Sequence, residues 1–342
     1  FRISFFGHHV NNFLPFAIIK RTKKPVVAWI NCKNTAEYIL KIFEAVSGGA
    51  KELQDKPLIK GLLTPVSPLQ FNKEGSDILM LFADRGLPLG VGSMVMAMVS
   101  GPATLAGTVA LQNAEVLAGI TISQLLRPGL PVLYAGIPHI SDPRNVNICF
   151  GSPEQGIMAV MITALTKKYA LPTAINVGLT DSNVPDGQAG VEKAATLLLG
   201  MLAGADAYGG MGISGADQGF NIAQLVIDDE IIAYLKRIIK GAEVSDETLA
   251  YNVIKEVGIG GSFISMDHTL QHFRKELWFP TIFERLGWEV WEQSGSMDLL
   301  ERAGEKAEKI ILQQKEEEIN KDLVEEIDTI YATAEKCLVL KR

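Results

Sequence analysis

The chain has 342 residues, 47% of them hydrophobic, with 32 glycines and a formal net charge of −7. So apolar a chain is not disordered over most of its length, and its acidic balance excludes a binder of phosphate backbones, which needs a basic stripe. Cys32, Cys149 and Cys337 lie more than a hundred residues apart, which excludes a disulfide framework and points to a reducing cytoplasm. Charge is unevenly spread, with 19 charged side chains between 301 and 342. The expected organisation is therefore an apolar body over 1–300 and a charged tail over 301–342. In that tail Ile319, Leu323, Ile327, Ile330 and Ala334 recur at the spacing of an amphipathic helix.

The first residues, Phe1 to His9, carry no initiating Met, and His8, His9, Asn11, Asn12 and Pro15 interrupt the apolar residues around them. That pattern suits neither a signal peptide nor a membrane span. It reads as a chain that begins partway into a longer protein. The apolar stretch over 91–121 is broken by glycines and polar residues into a strand and a helix, so no membrane segment is expected.

From Val26 onward a rhythm sets in. Short continuous apolar runs over 26–30, 62–67, 92–100, 132–135, 173–177 and 205–208 are each followed by a helical pattern, over 34–46, 73–84, 103–126, 153–169, 187–202 and 221–239. Strands that are apolar throughout are buried on both faces, as in a parallel sheet. A doubly wound sheet and a (β/α)8 TIM barrel both satisfy the rhythm. No GxGxxG or GxxxxGK[ST] opens a helix, and six similar units without a nucleotide fingerprint favour the barrel. Its remaining strands are expected before residue 1 and around 258–265, so the barrel is predicted to lack part of its N-terminal region here.

Chemistry in such folds gathers at the carboxyl ends of the strands. After the fourth strand come Asp142 and Arg144, which can pair with each other or meet a substrate. Ser152 before Pro153 reads as a helix N-cap. After the fifth strand Thr180, Asp181, Ser182, Asn183, Asp186 and Gln188 form the densest polar cluster. Asp186 suits a cap; Asp181 is left as the better functional residue. Five glycines between 209 and 219 allow close backbone approach or simply turns. His268 and His272, one helical turn apart, lack the Glu of HExxH and a spaced third ligand, so no metal site is expected. The lysines fall in helices or before strands, which disfavours Schiff-base chemistry.

Four stretches occur in order: Ser152-Pro-Glu154; Thr180-Asp-Ser-Asn-Val-Pro-Asp-Gly-Gln-Ala-Gly190; Gln224-Leu-Val-Ile-Asp-Asp-Glu230; and His268-Thr-Leu-Gln-His-Phe-Arg274. As a set they resemble the trimethylamine:corrinoid methyltransferase family, over about 66–285. Only standard residues stand at the strand ends, so the chain resembles the branch without pyrrolysine, which includes demethylases of quaternary amines such as glycine betaine. The resemblance implies a TIM barrel that moves a methyl group from a methylated amine to the Co(I) of a separate corrinoid protein. No cofactor would be bound by the chain itself, and a homo-oligomer in the cytoplasm is expected.

For that chemistry Asp181 would be the catalytic residue, stabilising the positive nitrogen. Tyr134, Phe220, Phe263 and Trp278 would offer aromatic faces to the cation. Asp142, Arg144, His268 and His272 would complete the substrate site, Arg144 or His268 meeting a betaine carboxylate. A tertiary-amine substrate, or a non-catalytic betaine-binding paralogue, satisfies the same residues.

Overall fold

The structure is a computed structural model describing residues 24–27, 30, 32–313 and 320–339. The opening residues 1–9, the middle of the first expected strand (Ala28 and Trp29) and Ile319 of the tail lie outside the described residues.

The strands in chain order are β1 (Val26–Val27), β2 (Ile59–Leu63), β3 (Leu89–Ser93), β4 (Met96–Ala97), β5 (Val132–Gly136) and β6 (His139–Ser141). They continue with β7 (Ile148–Cys149), β8 (Thr173–Ile175), β9 (Ala207–Tyr208), β10 (Ile213–Ser214) and β11 (Gly219–Phe220). Six of them form one parallel sheet in the order β1-β2-β3-β5-β8-β9. The order follows the chain without reversal, so every crossover adds its strand to the same edge. A doubly wound sheet reverses instead. The sheet curls into a half-barrel.

Helices cover its convex face. α1 (Lys33–Ser47) and α2 (Ala50–Asp55) follow β1, α3 (Lys73–Arg85) follows β2, and α4 (Leu105–Leu126) follows β3 and β4. α5 (Pro153–Tyr169), α6 (Gly187–Ala203) and α7 (Ile222–Lys240) complete the layer. Their starts are written in the sequence: Asn72, Ser152, Asp186 and Asn221 each accept a first-turn amide, and Pro153 occupies the first helical position of α5. Helix α4 is long and apolar enough to span a membrane by length and composition. It nevertheless packs on β3 and β5 with Gln112 and Glu115 buried, as a sheet-covering helix does.

The two faces of the sheet differ in kind. Toward the helices point Leu63, Val91, Tyr134 and Ile175, all buried. The space where Gly61 and Gly136 would carry a Cβ is filled by Phe82 and Ile162 of α3 and α5. By register the opposite, concave face carries Lys60, Leu62, Gly90, Gly92, Leu133, Ala135, Ala174 and Ala207. Glycine and alanine dominate its centre, so small side chains line the concave side, where Gly90, Gly92, Leu133 and Ala135 are buried.

Four expectations need correcting. Strand β2 begins at Ile59, so Lys60 lies inside the strand; alternation sends its side chain to the concave side, where a charge is tolerated. The run over 92–100 is two strands, because the chain turns after Ser93 and β4 pairs with β6. Residues 258–265 form turns, not a strand. The tail, expected as one helix, is two: α12 (Leu299–Gln313) and α13 (Lys321–Val339). Between α7 and α12 lie four short helices, α8 (Asp246–Leu249), α9 (Tyr251–Val257), α10 (Asp267–Glu276) and α11 (Trp288–Gln293).

Helix α12 packs on α7 and α13 on α1. Ala303, Ala307 and Ile327 belong to the same buried cluster as the sheet.

Candidate functional site

The carboxyl ends of the strands are tied together by carboxylates carried on the helices, the buried Glu115 and the half-buried Glu192. Glu115 of α4 accepts hydrogen bonds from the Ser67 hydroxyl at 2.8 Å, from the Leu69 amide at 2.7 Å and from the Ser93 hydroxyl. It thereby fixes the turn after β2 to the end of β3. Glu192 of α6 does the same after β8, accepting from Thr180 Oγ1 at 2.6 Å and from the Asp181 amide at 2.9 Å.

Asp181 stands where β8 runs out. Its carboxylate accepts the amides of Phe150 at 2.7 Å and Gly151 at 3.2 Å, joining this loop to the end of β7. Burial raises its pKa, the two amide bonds oppose that rise, and the negative Glu192 adds to it. The β10–β11 hairpin is laced to the same loop by Gly215 N to Ser182 O at 2.7 Å and Ala216 N to Thr180 O at 3.1 Å.

Beneath these loops lies a fully buried ion pair, Lys193 Nζ to Asp228 Oδ2 at 2.9 Å. The ammonium also donates to Gly178 O at 2.9 Å and Gly210 O at 3.0 Å, and Asp228 accepts the Gly212 amide at 2.6 Å and Gln224 Nε2 at 2.7 Å. Every polar atom of the pair has a partner, as burial of charge requires. Burial still lowers the pKa of Lys193, against the pull of Asp228. Lys193 comes from a helix, yet its charge reaches the strand-end backbone.

Two titratable groups in these loops have no hydrogen-bond partner among the described residues. His139, at the start of β6, is buried with both ring nitrogens unpaired, its ring 4.2 Å from that of Phe150. Burial pushes its pKa down to about 3, so the imidazole is neutral. Asp217, at the tip of the β10–β11 hairpin, is raised to about 6 by burial alone.

The residues singled out from the sequence divide into two groups. Asp181, the Asp142–Arg144 pair and Phe220 lie on loops bonded to one another. Arg144 clamps Asp142 through Nε at 2.9 Å and the terminal nitrogen at 2.5 Å, which holds the Asp142 carboxyl well below its usual range. Phe220 stands half exposed on β11.

The others have partners elsewhere. Tyr134, expected to face a cation, turns to the helix layer instead: it is fully buried and its hydroxyl donates to Gln112 Oε1 at 3.2 Å and Asn113 Oδ1 at 3.0 Å in α4. Strand alternation sets that direction. His268 and His272 stack on α10 with centroids 4.2 Å apart and meet Glu247 of α8, through its carbonyl and its carboxylate, each at 3.4 Å. Trp278 packs edge-on against Tyr234 at 5.3 Å, and the guanidinium of Arg285 already lies 5.4 Å over its ring. Phe263 is half exposed in the turns before α10.

Glu115, Glu192, Lys193, His139 and Asp217 were not singled out from the sequence. A signal existed for the first three. Each is a charged residue at a helix position whose neighbours one turn away are buried, such as Gln112 and Gly119 around Glu115. Among the described residues no group of three His, Cys, Asp or Glu is arranged to hold a metal ion. A cavity of about 520 Å³ sits in the helix layer between α6, α7 and the start of α12, lined by Ala194, Ile227, Ile231, Tyr234, Phe283 and Leu299.

Residues 8–337 match the family model described as trimethylamine methyltransferase (MTTB). The trimethylamine methyltransferase MttB of Desulfitobacterium hafniense (strain DSM 10664 / DCB-2) is 36% identical over 324 residues, covering 93% of this chain and 65% of that protein. The trimethylamine methyltransferase MttB of Methanosarcina barkeri (strain Fusaro / DSM 804) is 36% identical over 301 residues, covering 88% and 61%. A glycine betaine methyltransferase of Desulfitobacterium hafniense (strain Y51) is 33% identical over 277 residues, covering 81% and 58%. The chain spans about three-fifths of the length of these relatives.

Proposed function

Because this chain belongs to the trimethylamine methyltransferase family, we propose that it moves a methyl group from a quaternary amine of the glycine betaine type to the reduced cobalt of a corrinoid held by a separate protein. We infer with it that the six parallel strands are consecutive members of an eight-stranded barrel, on which the strand-end loops form the mouth.

The observation that carries the reading is the charge balance of those loops. Asp181 is held at the end of β8 by neutral amide donors, Glu192 lies beside it, and the nearby Arg144 is already bonded to Asp142. Such a site favours a positively charged ligand. A quaternary ammonium leaves as a neutral tertiary amine, so breaking its C–N bond, with the electron pair staying on nitrogen, needs no proton donor. The corrinoid supplies the electron pair that forms the new bond to carbon. The chain's own part is to hold the cation beside Asp181, point one methyl outward and keep water away.

A second reading has one observation behind it. Asp217, raised to about 6, holds its proton at mildly acidic pH and could keep a tertiary amine protonated, as a trimethylamine-like substrate needs.

The test mixes the purified protein with a corrinoid protein reduced to Co(I) and a panel of methylated amines. Glycine betaine is expected to consume the Co(I) absorbance and yield dimethylglycine. A Co(I) signal that stays constant with every quaternary amine but falls with trimethylamine selects the second reading; one constant with both removes the proposal.

A further inference from the structure

The cavity in the helix layer takes no part in the methyl transfer proposed above. It lies between α6, α7 and the start of α12 and measures about 520 Å³. Pockets of roughly 300–1,000 Å³ hold drug-sized ligands, so this one is too roomy for a small methylated amine. Two helix positions keep it open. A Cβ added at Gly187 or Gly190 would meet no atom within 4 Å, and both residues line the cavity. Gly190 sits inside α6 with no positive φ to require it, although glycine there costs about 0.5–1 kcal/mol relative to alanine.

The inside of the cavity is apolar. Ile227 and Ile231 of α7 face it with Tyr234 and Phe283, whose rings stand 6.4 Å apart at 53°. Tyr234 is 46% exposed, so an aromatic side chain is left wet in the free chain. The polar groups on the wall are mostly acceptors. Asp186 and Asp298 are its charged members, and among the described residues no Lys, Arg or His lines it. Gln224 also lines it, at 1% exposure; its Nε2 donates to Asp228 at 2.7 Å, and its Oε1 has no partner among the described residues. Two carboxylates and an unpaired amide oxygen call for N–H donors and positive charge.

We propose that this cavity binds a protonated organic amine larger than the methylated substrate, its apolar body between the helices and its ammonium on the acceptors of the wall. A quaternary ammonium has no N–H and leaves Gln224 Oε1 unpaired, and an anion is repelled by both carboxylates. The site stands whether or not the chain transfers methyl groups, because the chemistry of its lining carries it. Its occupancy reaches the strand ends by two routes. Asp186 accepts the Ser182 hydroxyl at 2.9 Å, and Gln224 holds Asp228, the partner of Lys193. A bound amine therefore restrains the loop that carries Asp181.

The test titrates the purified protein near neutral pH with three probes of one shape, phenylpropylammonium, phenylpropanol and phenylpropionate, by isothermal titration calorimetry. The ammonium is expected to bind, the alcohol about tenfold more weakly and the carboxylate at least about 100-fold more weakly. Gly190→Leu puts a side chain into the empty space and suits the helix better than glycine. The thermal midpoint should hold or rise while ammonium binding falls at least about tenfold. Asp298→Asn keeps an acceptor for the Glu301 amide and should weaken the ammonium about three- to tenfold, the alcohol less than about twofold. Bound ammonium should also slow amide exchange over 180–186, where Ser182 meets Asp186. Binding that survives Gly190→Leu lies elsewhere and overturns the proposal, as does a carboxylate that binds as tightly as the ammonium, or no binding by any probe. Unchanged exchange with the ammonium bound overturns the coupling to the loop. A dimer in sedimentation that Gly190→Leu dissociates gives the cavity to a second copy and overturns the small-molecule site as well.

Discussion

At the scale of single residues, Asp217 is an acidic group whose titration burial moves toward neutral pH. Its folded pKa of about 6 lies above the ordinary 3.8, so the folded state holds the proton more tightly than the unfolded chain. Stability from this group is therefore full below 3.8 and declines as pH rises toward 6. Asp217→Asn removes the titration, so the thermal midpoint of wild type should fall relative to the variant across that window; parallel curves would contradict it. Tyr134→Phe tests the placement of that ring in the helix layer. Losing the bonds to Gln112 and Asn113 should cost about 1 kcal/mol in urea denaturation and leave turnover unchanged. Asp181→Asn should lower kcat/KM for the amine by about 10–100-fold, since a neutral amide replaces the charge facing a cation. A variant with full turnover would take Asp181 out of the mechanism.

Among the elements, the helices were the most legible. Asp186 and Ser152 cap α6 and α5 where their side-chain chemistry says they should, and Pro153 marks a first turn. Strand limits were harder to read, because Lys60 looks like a loop residue until its pairing with Val27 inside the sheet is known. The candidate site was legible only where its residues sit on strand-end loops, as Asp181, Asp142 and Arg144 do. The residues that hold those loops come from helices, and a charged side chain on a helix reads as solvent-facing unless its tertiary partner is known. Glu247, the partner of both histidines, lies 21 residues before His268. Lys193 shows what the hidden set does. Lys193→Met would leave Asp228 buried without its cation and strip a donor from Gly178 and Gly210. A loss of about 3–5 kcal/mol in denaturant unfolding is expected.

Over the whole molecule, the sheet, its helix layer and the two tail helices share one apolar core. Ile327, fully buried, is the last buried member of that core along the described residues. Ile327→Ala should cost about 2–5 kcal/mol, read as a lower denaturation midpoint, whereas an independent tail would show almost no change. The seating of α13 on α1 has a consequence for synthesis. Helix α1 is translated before the surface that covers it, which follows nearly three hundred residues later, roughly 15–60 s at about 5–20 residues per second. During that interval the nascent chain carries Ile39, Leu40 and Phe43 on a helix still waiting for its last neighbour. Until 321–339 arrives, helix α1 offers an apolar surface that a chaperone holding apolar segments would suit.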